Sequence, residues 1–515
     1  ADGEVSEAID FARYYARTAD VPPGVNADAL GVVAVVSPWN FPYAIPAGGV
    51  IAALMAGNTV VFKPARATAQ TAWLLARQLW AAGVPRDVLH FFPCDSTTGR
   101  SLITDPRVAC VVLTGSYETA RKFQGWRPAL PLLAETSGKN AMIITAQADR
   151  ELAIKDLVRS AFGHAGQKCS AASLAILEAE VYDDPIFRRQ LRDASASLHS
   201  GAATDPRSVV TPLIIPAGDD LRRALTTLDA GEEWLLEPRQ LGDDPCAWTP
   251  GIKLGVRPDS WFHRTECFGP VLGLMRAASL AQATERQNAT DFGLTAGLHS
   301  LDADEIAWWK ERVLAGNLYI NRPITGAIVQ RQPFGGWKRS CIGPGAKAGG
   351  PNYVRSFCRM SDAGAAKNDY RAAWAEHFTV EHDPSALRAE SNVFRYRPCR
   401  GVVLRLDARE QETIERAKLA AQFTGAPLVI SIRDEESDAQ FIARLPELAK
   451  RAEFLRTVRT PGEDVLRAAH DAGLNWINAP LLACGRIELT RWLREQAVSE
   501  TRHRYGQVPA LKPSR

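Results

Sequence analysis

Between Gly31 and about Glu178 the chain alternates short, nearly continuous apolar runs with amphipathic helical stretches, and this rhythm limits the fold more than any other feature. Residues 32–36, 59–62, 88–92, 109–113, 142–145 and 174–178 read as strands, while 71–82 and 153–162 carry helical spacing. Strands apolar along their whole length need cover on both faces, and helices between them supply it, which predicts a parallel, doubly wound α/β sheet. A second α/β stretch runs from Tyr182 to about Asn321 and ends in a strand at 317–321. A glycine-rich region follows, from Pro333-Phe334-Gly335-Gly336 to Gly349-Gly350-Pro351. Residues 362–398 turn polar and alanine-rich and read as a connector of helix and loop. From Gly401 to Gln507 the β/α rhythm restarts, with strands at 402–406, 428–432 and 475–478. There Asn475-Trp476-Ile477-Asn478-Ala479-Pro480 echoes Asn317-Leu318-Tyr319-Ile320-Asn321-Arg322-Pro323, as a decayed copy of the first architecture or by chance over so short a stretch.

The 515 residues, 46% hydrophobic and 23% charged, suffice for two to four domains with large cores. Lysines and arginines (61) nearly balance aspartates and glutamates (58), so the chain has no basic field of the kind nucleic acid requires. Nine cysteines with no CxxC pair and no Cys/His ligand spacing argue against a disulfide framework or a metal centre and suit a reducing cytoplasm. The longest apolar run, 47–57, is broken by glycines and too short to span a bilayer. Near Ala1, residues Val5, Ala8, Ile9 and Ala12 already share a helical face, which reads as the middle of a domain in a longer polypeptide.

Two residues carry the chemistry. Cys169, in Gly166-Gln167-Lys168-Cys169-Ser170, is the candidate nucleophile, and a thiolate of lowered pKa suits attack on a carbonyl carbon. Glu135, 34 residues earlier, is the candidate general base for activating water. A division of covalent attack and water activation is what oxidising an aldehyde to an acid requires. Asn40, in Ser37-Pro38-Trp39-Asn40-Phe41-Pro42, follows the first strand, where its amide could stabilise an oxyanion together with the Cys169 N–H. Lys63 ends the next strand, where an ammonium can hold ribose hydroxyls or phosphate. Gly115-Ser116 opens a helical segment, where a pyrophosphate could meet free N–H groups. Glu266, with Phe268 beside it, could bind the hydroxyls of a nicotinamide ribose. Taken singly, each of these residues has a plain structural explanation: an inert buried thiol, a turn residue, a solvated lysine, a loop carboxylate.

Taken in order, Pro38-Trp39-Asn40-Phe41-Pro42, Lys63-Pro64, Gly115-Ser116, Glu135, Gly166-Gln167-Lys168-Cys169, Glu266-Cys267-Phe268-Gly269-Pro270 and Pro333-Phe334-Gly335-Gly336 resemble the aldehyde dehydrogenase superfamily, from Val5 to Tyr353. More narrowly, Ala134 to Ala141, Gly166 to Ala171, and Ser340 with Gly343 to Pro351 resemble L-glutamate-γ-semialdehyde (Δ1-pyrroline-5-carboxylate) dehydrogenases, above all the dehydrogenase half of bifunctional proline-utilisation proteins. The resemblance implies an NAD-binding domain over 1–138, truncated at its start, a catalytic domain over 139–325, and an anchor loop with an oligomerisation region over 326–361. A linker over 362–400 and an appended non-catalytic domain over 401–515 would follow, since the last segment has Cys484 and Glu488 but neither nucleophile motif. It further implies cofactor contacts from Ser37, Pro38, Trp39, Lys63, Gly115, Ser116, Glu266 and Phe268, and substrate contacts from Phe41, Ser340 and Gly343. Ser340 and Gly343 would hold the substrate's α-carboxylate. The implied partners are a small aldehyde, further copies of the chain and a covalently joined proline dehydrogenase.

Two departures stand out. Arg66 and Thr68 occupy the stretch where many members place a carboxylate for the adenosine ribose, which leaves NADP open beside the favoured NAD. Trp337-Lys338-Arg339 puts two cations before the expected anchor, either strengthening anion binding or facing solvent. Two rival readings remain: a non-catalytic scaffold, and a dehydrogenase for another aldehyde.

Overall fold

The computed structural model describes residues 2–364 and 366–503. The ends of the expected domains at Ala1 and beyond 503, including Gln507, lie outside the described residues. The doubly wound expectation holds. A six-stranded sheet sets Cys341–Ile342, Leu132–Glu135, Val108–Thr114, Val32–Val36, Thr59–Lys63 and Leu89–Phe91 side by side, parallel except for the first. Val32–Val36 takes the centre because four of its five residues are buried, and Val35 packs over the helix Ala44–Met55 at Gly49. The chain order reverses at that strand, and such a switch point opens a crevice at the carboxyl ends of the strands.

Between Glu135 and Asn140 the chain crosses into a nine-stranded sheet. Its middle is parallel: Asn317–Ile320, Thr295–His299, Asn140–Ile144, Ala172–Glu178, Val271–Ala277 and Gly251–Leu254. Helix Arg150–Phe162, capped at its start by the Asp149 carboxylate accepting from the Leu152 N–H, packs against this sheet and delivers the chain to Cys169.

The stretch expected to be a connector behaves otherwise. Residues Glu390–Pro398 form a nine-residue strand antiparallel to Leu493–Thr501, which in turn runs parallel to Asn317–Ile320. Leu493–Thr501 therefore lies inside the nine-stranded sheet, with Glu390–Pro398 at its edge. Polar residues hid this strand: Arg395 is buried, its guanidinium bonded to Gln496, Glu311 and the Lys310 carbonyl. A separate parallel sheet, Leu428–Ile432, Val402–Leu406, Phe454–Thr457 and Asn475–Asn478, lies between these two strands in sequence. Glu488 serves this part as a buried partner of Arg456, Trp492 Nε1 and the Leu482 N–H. Burial pushes its carboxyl up, but Arg456, Arg491 and the Trp492 N–H together hold it below the usual range. No helix among the described residues is long and apolar enough to cross a membrane.

Candidate active site

The loop into Cys169 has an unusual backbone. His164, Ala165 and Gly166 all lie in the left-handed region, at φ of 60°, 51° and 67°. Gly166 is required there, since a Cβ would stand 2.2 Å from the Gly269 carbonyl oxygen. That close approach brings the Glu266–Phe268 segment to the cysteine loop. Phe41 stacks on His164, ring centroids 5.6 Å apart and planes nearly parallel, and Trp39 meets Phe268 edge-on at 5.7 Å.

Asn140 fixes the loop from beneath. Its Nδ2 donates to the carbonyls of Cys169 (2.7 Å) and Ala171 (3.0 Å), while its Oδ1 accepts from the Thr295 N–H. Asn140 stood in a quoted motif without a role; a buried polar residue opening an otherwise apolar strand is the signal that marks it. From the six-stranded side, buried Asn40 donates through Nδ2 to the Gln167 carbonyl at 3.2 Å. Gly138, three residues after Glu135, lies so close that a Cβ there would be 2.6 Å from the Cys169 oxygen. Glu266 accepts from the Gly138 N–H at 2.8 Å. Cys169, Asn40, Glu135 and Glu266 thus converge on one seam between the two large sheets.

The electrostatics differ from the expected low thiol pKa. Part of Cys169 reaches the surface, yet burial of the sulfur, followed by the charges of Glu135 and Glu266, pushes the thiol up to about 12. Burial also raises Glu135 and Glu266, each to about 7. The Lys347 charge opposes the shift at Glu135, and the Gly138 N–H opposes it at Glu266. With its oxygen Oε1 buried and unpartnered, Glu135 holds a proton more readily than an exposed carboxylate.

The aldehyde dehydrogenase family profile matches residues 1–362. The chain belongs to the aldehyde dehydrogenase family. Among relatives, a 1-pyrroline-5-carboxylate dehydrogenase of Geobacillus sp. is 37% identical over 379 residues, covering 69% of this chain and 72% of its own. The solved structure of proline utilization A from Corynebacterium freiburgense is 45% identical with a TM-score of 0.91. That match covers 99% of this aldehyde dehydrogenase chain, which spans 54% of the Corynebacterium one. A 1-pyrroline-5-carboxylate dehydrogenase from Thermus, solved with bound NAD, is 33% identical with a TM-score of 0.64, over 70% of this chain and 74% of that one.

Aldehyde dehydrogenases act with a nicotinamide dinucleotide, and the residues here fit one. Ser37 and Lys63 adjoin at the carboxyl ends of neighbouring strands, the Ser37 N–H donating to the Lys63 carbonyl. The Lys63 ammonium reaches the Pro64 carbonyl at 3.4 Å and no carboxylate among the described residues, so a charge stands available at the crevice. Pro38 and Trp39 continue from Ser37 toward Phe268. Helix Tyr117–Trp126 starts beyond Gly115-Ser116, but its opening is more occupied than expected. The N–H groups of Gly115, Tyr117 and Thr119 already donate to the Glu135 carbonyl, Ser137 Oγ and Ser116 Oγ.

The expected carboxylate anchor is not an open anion site. Ser340 is fully buried; its hydroxyl donates to the Ser137 carbonyl (2.6 Å) and accepts from the Gly293 N–H (3.1 Å). Gly343, at φ 102°, packs on the Leu132 carbonyl, and its N–H donates to Asn475 Oδ1. The cations before Ser340 are engaged as well. Lys338 donates to the carbonyls of Asn288 and Thr290, and Arg339 pairs with Asp291 at 2.7 Å. This glycine-rich segment clips the two sheets and the C-terminal part together.

Proposed function

We propose that the chain oxidises L-glutamate γ-semialdehyde, the open form of Δ1-pyrroline-5-carboxylate, to L-glutamate, with NAD as electron acceptor, in proline catabolism. The observation that carries the reaction type is the convergence of Cys169, Asn40 and Glu135 on one seam. The substrate rests on the 1-pyrroline-5-carboxylate dehydrogenases among the relatives, since Ser340 and Gly343 are hydrogen-bonded within the protein.

In this reading Cys169 Sγ gives up its proton to solvent and bonds to the aldehyde carbon as the carbonyl π electrons move to oxygen. Asn40 Nδ2, released from the Gln167 carbonyl, and the Cys169 N–H receive the resulting oxyanion. Ser37, Pro38, Trp39, Lys63, Gly115, Ser116, Glu266 and Phe268 would hold the dinucleotide, which would supply the acceptor for the hydride that leaves the aldehyde carbon as the thioester forms. Phe41 walls the substrate side. Glu135 takes a proton from the water that attacks the thioester, the carbon–sulfur bond breaks, and the acid departs as Cys169 regains its thiol. Arg66, exposed beyond Lys63, keeps NADP open as an alternative cofactor.

The match to 54% of the Corynebacterium chain supports a setting in which this chain is joined to a proline dehydrogenase and acts as an oligomer, and its nine cysteines without a CxxC pair suit the cytoplasm. The deciding experiment follows absorbance of NADH and NADPH with glutamate semialdehyde for the parent chain and Cys169→Ala. Cysteine-dependent reduction of NAD supports the reading. No reduction of either cofactor by folded parent chain leaves the scaffold reading, and equal turnover of aldehydes lacking a carboxylate points to a different substrate.

A further inference from the structure

Behind Glu135 lies a buried charge cluster that the reaction scheme leaves unused. Lys347 is 1% exposed, an unusual position for an ammonium. Its Nζ donates to Asn317 Oδ1 at 2.9 Å and to the Gly335 carbonyl. Gly335 and Glu135 line one cavity of about 30 Å³, room on the order of one water, together with Cys341, Gly345 and Ala346. Lys347 is thus bonded to one lining residue of a cavity that Glu135 also lines. Its counter-charge comes from far away in sequence. Glu495, on the strand Leu493–Thr501, accepts the Lys347 N–H at 2.7 Å through Oε2 and Asn352 Nδ2 at 2.7 Å through Oε1. The Trp337 indole N–H, bonded to the Glu495 carbonyl, fixes that strand position.

We infer that Lys347 is a positioning residue for the hydrolytic half of the reaction, its ammonium biasing Glu135 toward the ionised form and Glu495 keeping that ammonium charged. The inference rests on the general-base reading of Glu135. A base must be ionised to take the water proton as the oxygen–carbon bond forms and the thiol leaves, and burial alone works against this. The electrostatics agree in direction. After burial, which raises Glu135, the Lys347 charge is its largest influence and lowers it. Burial lowers Lys347, and Glu495 is the largest influence restoring it. The other titratable groups facing Glu135 are Cys169, Cys341, Glu7, Tyr15 and Tyr353; each is acidic, so none can supply a cation.

The test measures, in the intact chain, the NADH burst and the pH dependence of the following thioester-hydrolysis rate, for the parent, Lys347→Met, Lys347→Arg, Glu495→Gln and Glu135→Gln. Removing an opposite charge at short range moves a carboxyl by about one unit or more. The acidic limb in Lys347→Met should therefore shift upward, slowing hydrolysis at pH 7 about fivefold for a one-unit shift, while the burst persists. Lys347→Arg should restore the limb. Glu495→Gln retains the side chain's shape and leaves Lys347 uncompensated, so its limb should move the same way; it also serves if Lys347→Met does not fold. An unmoved limb in the folded variants overturns the assignment of Lys347. A Glu135→Gln protein that hydrolyses at the parent rate instead removes the general base, and the inference with it.

Discussion

Asn40 shows how a single amide can serve two states. At rest its Nδ2 is tied to the Gln167 carbonyl, two residues from the nucleophile, so it is already placed where an oxyanion would form. Losing one such donor costs on the order of 10²–10³ in rate. Asn40→Ala should therefore lower kcat by that factor and leave the dissociation constant for NAD nearly unchanged in a fluorescence titration; normal turnover would remove the role. Cys169 makes a pH prediction of a different kind. With its thiol pushed up to about 12, the cofactor-free protein holds little thiolate at pH 8. Alkylation of Cys169 by iodoacetamide should accelerate steadily up to at least pH 10, and a plateau near pH 8 would contradict the burial argument. These residues could be singled out in the sequence because each sits in a contiguous motif. Ser340 and Gly343 bond within the protein for a reason the sequence hides: glycine-rich composition shows that amides can converge, not which partner receives them. The partner of Gly343, Asn475, lies 132 residues away.

At the scale of elements, the left-handed turn at 164–166 is what sets the cysteine loop against the 266–269 segment. Gly166→Ala would put a methyl into the Gly269 carbonyl while keeping a backbone that costs an alanine about 1–3 kcal/mol. The expected result is a lower Tm and a loss of turnover larger than the loss of NAD affinity, read by thermal melting and steady-state kinetics. The parallel strands around 32–36, 59–63, 108–114 and 172–178 were readable because nothing but apolar packing determines them. Glu390–Pro398 was not, because its inward positions include Asn392 and Arg395, made tolerable by partners that only the fold supplies. Hydropathy cannot anticipate a satisfied buried arginine.

Across the whole molecule, the C-terminal part depends on buried charge as well as on apolar packing. Arg456 and Glu488 are both fully buried and face each other. Removing one partner of such a pair strands the other and costs about 3–5 kcal/mol. Arg456→Met should lower the denaturation midpoint accordingly. Glu488 then keeps only the more distant Arg491 guanidinium, at 3.5 Å, to hold its proton affinity down, so the loss should be larger at pH 8 than at pH 4, where the carboxyl can protonate. A midpoint equal to that of the parent chain at both pH values would refute this.

The pairing of Asn317–Ile320 with Leu493–Thr501 also has a consequence in time. A ribosome delivers Asn317 long before Leu493, and until the later strand emerges the earlier one keeps an open row of backbone donors and acceptors. The nascent chain must carry that adhesive edge through the synthesis of an entire four-stranded sheet. Its vulnerability to mispairing is therefore greatest during translation, and a strand made about 170 residues later is the one that ends it.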